Sequence, residues 1–184
     1  APIPQAQLVE SALMNLVHLQ TVLASKASRV VIAAQGRQVI DFGLRRIHGR
    51  ETALTAARAF RIAGVDATSN VAAGQTYGMT VAGTMAHSYI QAHDDEYEAY
   101  RSFARIYPET VLLVDTYDTE VGIEKVIRLA HELGNDFKVS AIRLDSGDLL
   151  SQSIAARQRL DEASLSRVSI FASGNLNENN IQQL

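Results

Sequence analysis

Two stretches of this 184-residue chain place carboxylates, hydroxyls and an arginine at a spacing suited to chemistry. I-R-L-D-S-G-D at Ile142–Asp148 sets Arg143 inside an apolar run and follows it with Asp145, Ser146, Gly147 and Asp148. V-L-L-V-D-T-Y-D at Val111–Asp118 repeats the design, with an apolar run, Asp115, a hydroxyl and a second carboxylate three residues on. A short apolar run that ends in polar residues is how a buried parallel strand presents groups at its carboxyl end. Carboxylates there can hold Mg2+, accept ribose hydroxyls or stabilise a developing positive charge. They can equally cap the next helix, and Asp118 and Asp148 are expected to do only that. Asp115 and Asp145, nearer their strands, are the better candidates for chemistry.

Four further motifs carry candidates. G-T-M-A-H-S at Gly83–Ser88 offers Thr84 and His87, and a histidine there can act as acid, base or nucleophile. F-G-L-R-R at Phe42–Arg46 offers an aromatic that could stack on a flat ring and arginines, Arg45 or Arg46, that could fork onto an anion. On its own it reads more simply as a core phenylalanine with two solvated arginines. G-V-D-A-T-S-N at Gly64–Asn70 supplies Asp66 and two hydroxyls, among them Ser69, or else a polar turn that caps a helix. S-G-N-L-N-E at Ser173–Glu178 could form a small backbone nest for an anion through Ser173, Gly174 and Asn175. The remaining histidines, His18, His48, His93 and His131, lie on polar stretches and are expected at the surface. The chain contains no G-x-S-x-G, H-E-x-x-H, P-loop or G-x-G-x-x-G pattern.

The elements that must position these residues alternate. Apolar residues at three-to-four spacing predict a long helix over Gln5–Ala34, its start held open by Pro2 and Pro4. Helices are also predicted at Arg50–Ala63, Val71–Tyr77, from Met85 onward, Asp94–Tyr107 with Asp94 as the cap, Thr119–Leu133 and Leu149–Ala163. A last helix is capped by Asn177. Strands are predicted at Gln38–Gly43, from Val65, Thr80–Thr84, Val111–Val114, Val139–Leu144 and Val168–Ala172. Later strands start roughly 28 residues apart, the spacing of parallel β/α units. Polar motifs follow almost every strand, whereas an open sheet gathers them at one switch point. The expected fold is therefore α/β: a single domain over residues 1–184, an incomplete or irregular TIM-like barrel of about six β/α units.

Composition narrows the function classes. With 47% apolar and 20% charged residues the chain reads as globular, and a net charge of −3 gives no reason to expect nucleic acid or an anionic membrane as partner. There is no cysteine, which excludes disulfides and thiolate metal sites and suits a reducing cytoplasm. No metal-ligand cluster is expected. The opening A-P-I-P-Q-A-Q has no initiator Met and no signal-peptide pattern, and reads like the middle of a longer chain.

Taken together and in order, F-G-L-R-R, G-V-D-A-T-S-N, G-T-M-A-H-S, L-L-V-D-T-Y-D-T, I-R-L-D-S-G-D-L and F-A-S-G-N-L resemble the nicotinate phosphoribosyltransferase family, over about residues 5–184. That resemblance implies an enzyme of NAD biosynthesis that joins nicotinate to phosphoribosyl pyrophosphate (PRPP), with ATP as a coupled substrate through a phosphorylated histidine. Mg2+ is expected to accompany PRPP and ATP. It implies that His87 is phosphorylated, that Phe42 packs on the pyridine ring, and that Arg45 and Arg143 meet anionic groups. Asp145 and Ser146 would lie by the ribose, with Asp115 deeper. Ser69, Thr84, Ser173, Gly174 and Asn175 complete the expected substrate contacts. Asp66 matches the position at which the related nicotinamide enzymes read the ring amide.

The resemblance also implies a homodimer or higher oligomer in a complete protein that adds an N-terminal domain and a later glycine-rich phosphate loop. The 184 residues alone are expected to be inactive. Asn177 departs from the family's aspartate at a position that reads as a helix cap. Two other readings are a nicotinamide-specific relative and a non-catalytic barrel fragment. An aldolase-like barrel is disfavoured, because Lys26, Lys125 and Lys138 all fall on predicted helices or loops.

Overall fold

A computed structural model describes residues 2–184. The chain divides into two compact units: one running to Gly83 together with Asn177–Gln182, the other Thr84–Leu176 with Gln183 and Leu184.

In the first unit, α1 spans Ile3–Ala33, β1 Ile40–Asp41, α2 Arg50–Ile62, β2 Ala67–Thr68, α3 Val71–Tyr77 and β3 Thr80–Val81, and the four-residue α8, Glu178–Ile181, returns to it. Pro4 does not hold the start of α1 open. It sits in the first turn, where a missing N–H costs nothing. The carboxyl-terminal part of α1 buries Ala27 and Ala33, while Leu8, Leu13 and Leu16 nearer its start are exposed. On α2, Ala53, Ala56, Ala57 and Ala59 are buried; α1 packs against α2, and Ala57 clusters with Ala73 and Met79. The three short strands pair in parallel in the order β1-β2-β3, with Ile40 opposite Ala67 and Asp41 opposite Thr68. Asn70 caps α3 by accepting from Ala73 N, and Gly78 ends it at φ +65°, a left-handed conformation that glycine adopts at little cost.

The second unit holds α4 (His87–Gln91), α5 (Glu96–Ile106), β4 (Val111–Leu113), α6 (Thr119–Leu133), β5 (Ala141–Leu144), α7 (Leu149–Glu162) and β6 (Ser169–Ala172). Its strands form a parallel sheet in the order β4-β5-β6, so β5 is central and pairs on both sides. Leu112, Leu113, Val114, Ile142 and Leu144 are fully buried with Val126, Leu129 and Leu160 from the covering helices. Each such side chain contributes about 1.5–3 kcal/mol by leaving water. α6 approaches so closely that a Cβ on Gly122 would lie 2.2 Å from Val114 O. Asp118 caps α6 through Val121 N, and Asp148 caps α7 through Ser151 N, as their positions in the motifs predict.

Three expectations change. The fold is α/β, and among the described residues the six strands are parallel but form two three-stranded sheets, not one continuous one. Strand–helix alternation does not show where a ladder is interrupted. Asp95, not Asp94, caps α5, because it is the residue whose carboxylate reaches Tyr97 N. His93 is half-buried rather than solvated: its Nδ1 meets Tyr89 O at 2.8 Å and its ring packs on Tyr89. Among the described residues no helix is long and apolar enough to cross a membrane.

Candidate active site at the ends of β4, β5 and β6

Arg143 is the hub of the second unit's polar cluster. It sits third in β5, with its side chain only 14% exposed. Its guanidinium donates from Nε to Ser173 Oγ (2.7 Å), from one terminal nitrogen to Thr84 Oγ1 (2.7 Å) and from the other to Asp145 Oδ1 (2.6 Å). The planar fork thereby ties together the end of β6, the segment ahead of α4 and the end of its own strand. Ser173 Oγ accepts from Arg143 and donates to Asp145 Oδ1 at 2.5 Å. Burial pushes the Asp145 carboxyl up. The hydrogen bonds from Ser173 and Arg143, the Arg143 charge and His87 outweigh it, and Asp145 lies below the ordinary carboxylate value.

A second set of contacts joins β4 to β5. Asp115 Oδ2 accepts from Asp145 N (2.9 Å) and from Ser146 Oγ (2.6 Å), which fixes the turn after β5 from the neighbouring strand. Its other oxygen, Oδ1, is buried with no hydrogen-bond partner. An unsatisfied buried acceptor costs about 1–3 kcal/mol, a cost that a donor or cation reaching this oxygen would offset. His87 opens α4 and faces the same cluster. Nδ1 lies 3.0 Å from Thr116 Oγ1, and Nε2 lies 3.5 Å from Asp145 Oδ2. Behind β4, the buried Tyr100 hydroxyl donates to Leu113 O at 2.9 Å.

The loop after β6 is tight. Gly174 has φ +88°, and a Cβ there would lie 2.0 Å from Asp145 O, so the backbone comes this close only without a side chain. Asn175 follows at φ +49°, giving two successive left-handed residues. Asn177 then caps α8 in a reciprocal box with Asn180.

The sequence candidates in the first unit have their own placement. Asp41, at the end of β1, accepts from Thr68 Oγ1 (2.9 Å) and Gly43 N (2.7 Å). Phe42 follows it and is half-buried, while Arg45 is exposed in the 3-10 turn Gly43–Arg46. Ser69 lies at the carboxyl end of β2, its N–H bonded to Asp41 O. Asp66 lies at the opposite, amino end, exposed and accepting from Val39 N at 2.8 Å. The motif G-V-D-A-T-S-N predicts Asp66 within or after a strand that starts at Val65, but β2 starts at Ala67 and leaves Asp66 ahead of it. Asp41, which ends β1 just ahead of F-G-L-R-R, and Thr116, which follows Asp115 off β4, are not singled out by the motifs and gain meaning only from the groups they meet.

One structure therefore brings Thr84, His87, Asp115, Arg143, Asp145, Ser146 and Ser173 into a single cluster, with cationic, anionic and hydroxyl groups in contact. Such a cluster can hold an anionic group against the arginine and keep a carboxylate ionised beside it. These features define an α/β protein with a candidate active site on parallel strand ends. The sequence model of the nicotinate phosphoribosyltransferase (NAPRTase) family matches residues 37–184, and the chain belongs to that family.

Two curated relatives are nicotinate phosphoribosyltransferase pncB2 of Mycobacterium tuberculosis and the nicotinate phosphoribosyltransferase of Bacillus subtilis. They are 57% and 44% identical over the whole of this chain, which covers 40% and 38% of their lengths. Among solved structures, human nicotinic acid phosphoribosyltransferase superposes with a TM-score of 0.81 at 27% identity, over 99% of this chain and 48% of that one. The nicotinate-nucleotide pyrophosphorylase of Pyrococcus furiosus gives 0.79 at 30% identity, over 90% and 43%. The chain thus spans less than half the length of these relatives.

Proposed function

We propose that the complete protein transfers the phosphoribosyl group of PRPP to nicotinate, giving nicotinate mononucleotide and pyrophosphate, and that ATP is coupled to the reaction through His87. The observation that carries this reading is the Arg143–Asp145–Ser173–Thr84 cluster with His87 facing it. In the transfer, the C1–O bond of PRPP breaks with its electron pair leaving on pyrophosphate, and the pyridine nitrogen forms the new bond to C1. The sugar passes through an oxocarbenium-like state. Asp145, kept ionised by Ser173 and Arg143, is the carboxylate placed to stabilise that charge as it develops. Both substrates are anions, which accounts for arginines such as Arg143 and Arg45 in a chain of net charge −3.

The ATP step is a phosphoryl transfer to the imidazole. A ring nitrogen bearing a lone pair attacks the terminal phosphorus, and the bond to the departing ADP oxygen breaks. Mg2+ entering with the phosphates would need only one or two protein carboxylates, and Asp115, with its partnerless Oδ1, and Asp145 fit that need. Bound there, the ion would offset phosphate charge. The nicotinate reading is preferred to the nicotinamide one because the relatives reported above carry nicotinate or nicotinic acid names.

The longer protein assembles as a homodimer or higher oligomer in the cytoplasm. Incubating the complete protein with labelled ATP tests the coupling. Acid-labile phosphate on His87, absent from His87→Ala, is the expected result. Equal labelling of His87→Ala would overturn it.

A further inference from the structure

Thr116 follows Asp115 off the end of β4 and is half-buried beside His87. Its Oγ1 lies 3.0 Å from Nδ1 of the imidazole, and the opposite nitrogen, Nε2, faces Asp145 Oδ2 at 3.5 Å. A neutral imidazole carries one N–H and one lone pair. A threonine hydroxyl can serve as donor or acceptor, but an ionised carboxylate only accepts. The two contacts are therefore satisfied together in one tautomer only. The ring proton sits on Nε2, directed at Asp145, and Nδ1 keeps its lone pair with the Thr116 hydroxyl donating into it. The reverse tautomer would turn the Nε2 lone pair against the carboxylate.

We propose that Thr116 is a positioning residue for His87: with Asp145 it selects the Nε2–H tautomer and holds the imidazole at a fixed angle to the strand ends. This rests on the reading of His87 as the phosphoryl acceptor. The Nδ1 electron pair then forms the N–P bond while the P–O bond to ADP breaks. The Thr116 hydroxyl turns from Nδ1 to one of the new phosphoryl oxygens, and the Nε2 proton stays in place throughout. The strand end supplies the rigidity, because β4 is paired to β5 and its backbone carbonyl at Leu113 is held by Tyr100.

Nitrogen NMR of histidine-labelled complete protein reads the tautomer directly and does not depend on turnover. The expected spectrum of the wild type shows His87 protonated at Nε2 and bare at Nδ1. Thr116→Val, which keeps the shape and loses the hydroxyl, should show a mixture of tautomers. It should label His87 from ATP about tenfold to a hundredfold more slowly, with the KM for ATP unchanged. Thr116→Ser should restore both. Nδ1 protonated in the wild type, or a Thr116→Val spectrum and labelling rate equal to wild type, would overturn the assignment. A wild type with the expected tautomer but no phosphate on His87 would uphold the positioning role and sink the phosphohistidine reading instead.

Discussion

Arg143 donates to three different partners through one rigid fork, and a lysine has no equivalent geometry. Arg143→Lys should keep a positive charge yet lose contacts to Ser173, Thr84 or Asp145. A charge-assisted hydrogen bond of this kind is worth about 1.5–3 kcal/mol, and urea unfolding should register a loss of that size. Asp145 gives a second expectation. Its folded pKa is depressed, so its contribution to stability is complete above the unfolded value of about 3.9 and disappears as pH falls through the lower folded value. Carbon NMR should place its midpoint below the model-peptide value, and Ser173→Ala should move it upward. An unmoved midpoint in that variant would contradict the role given to Ser173. Asp115, Arg143, Asp145 and His87 stand out by motif and strand-end position, and the structure brings them into one cluster. Thr116 does not stand out, because a threonine gains meaning only from what it faces. Asp66 falls at the amino end because β2 begins at Ala67 and not at Val65, and a shift that small decides which end of a strand a side chain occupies.

At the scale of elements, three caps are readable because capping is local chemistry, whereas the two adjacent aspartates ahead of α5 leave its cap ambiguous by one residue. Asp118, Asp148 and Asn177 each sit where a short polar side chain meets the first N–H groups of a helix. Asn177→Ala should cost about 1 kcal/mol, whereas Asn177→Asp should be nearly neutral, since the two residues cap about equally well. Thermal unfolding of the two variants makes the comparison. Gly122 was not flagged by its sequence, yet α6 can rest on β4 only without a Cβ there. Gly122→Ala should destabilise by about 1–3 kcal/mol, as overpacking does, and full stability in that variant would mean that α6 can move away from Val114. The division of six parallel strands into two sheets was invisible in the sequence. The β1–β3 strands contribute only two residues each to their ladder, too few to leave a periodic signal.

At the scale of the whole molecule, the ends of the chain carry two kinds of signal. In the first unit, Glu178 of α8 pairs with Lys26 and Arg29 of α1, and the Lys26 contact above all holds its carboxyl down to about 2. That tie is complete above the unfolded carboxylate value and is lost only as pH falls toward 2. Further toward its start, α1 exposes Leu8 and Leu16, whose periodicity announces a helix but not what the helix packs against. The proposed activity belongs to a protein of which this chain is the counterpart of about 40% of its curated relatives. The most direct test of the account gives the complete protein PRPP, ATP and either nicotinate or nicotinamide, and follows mononucleotide and pyrophosphate. The account predicts nicotinate mononucleotide and pyrophosphate in equal amounts from nicotinate, and a rate about a hundredfold to a thousandfold lower in Asp145→Asn, the size of loss expected for one aimed electrostatic group. No mononucleotide from nicotinate, or an Asp145→Asn variant as fast as the wild type, would contradict it.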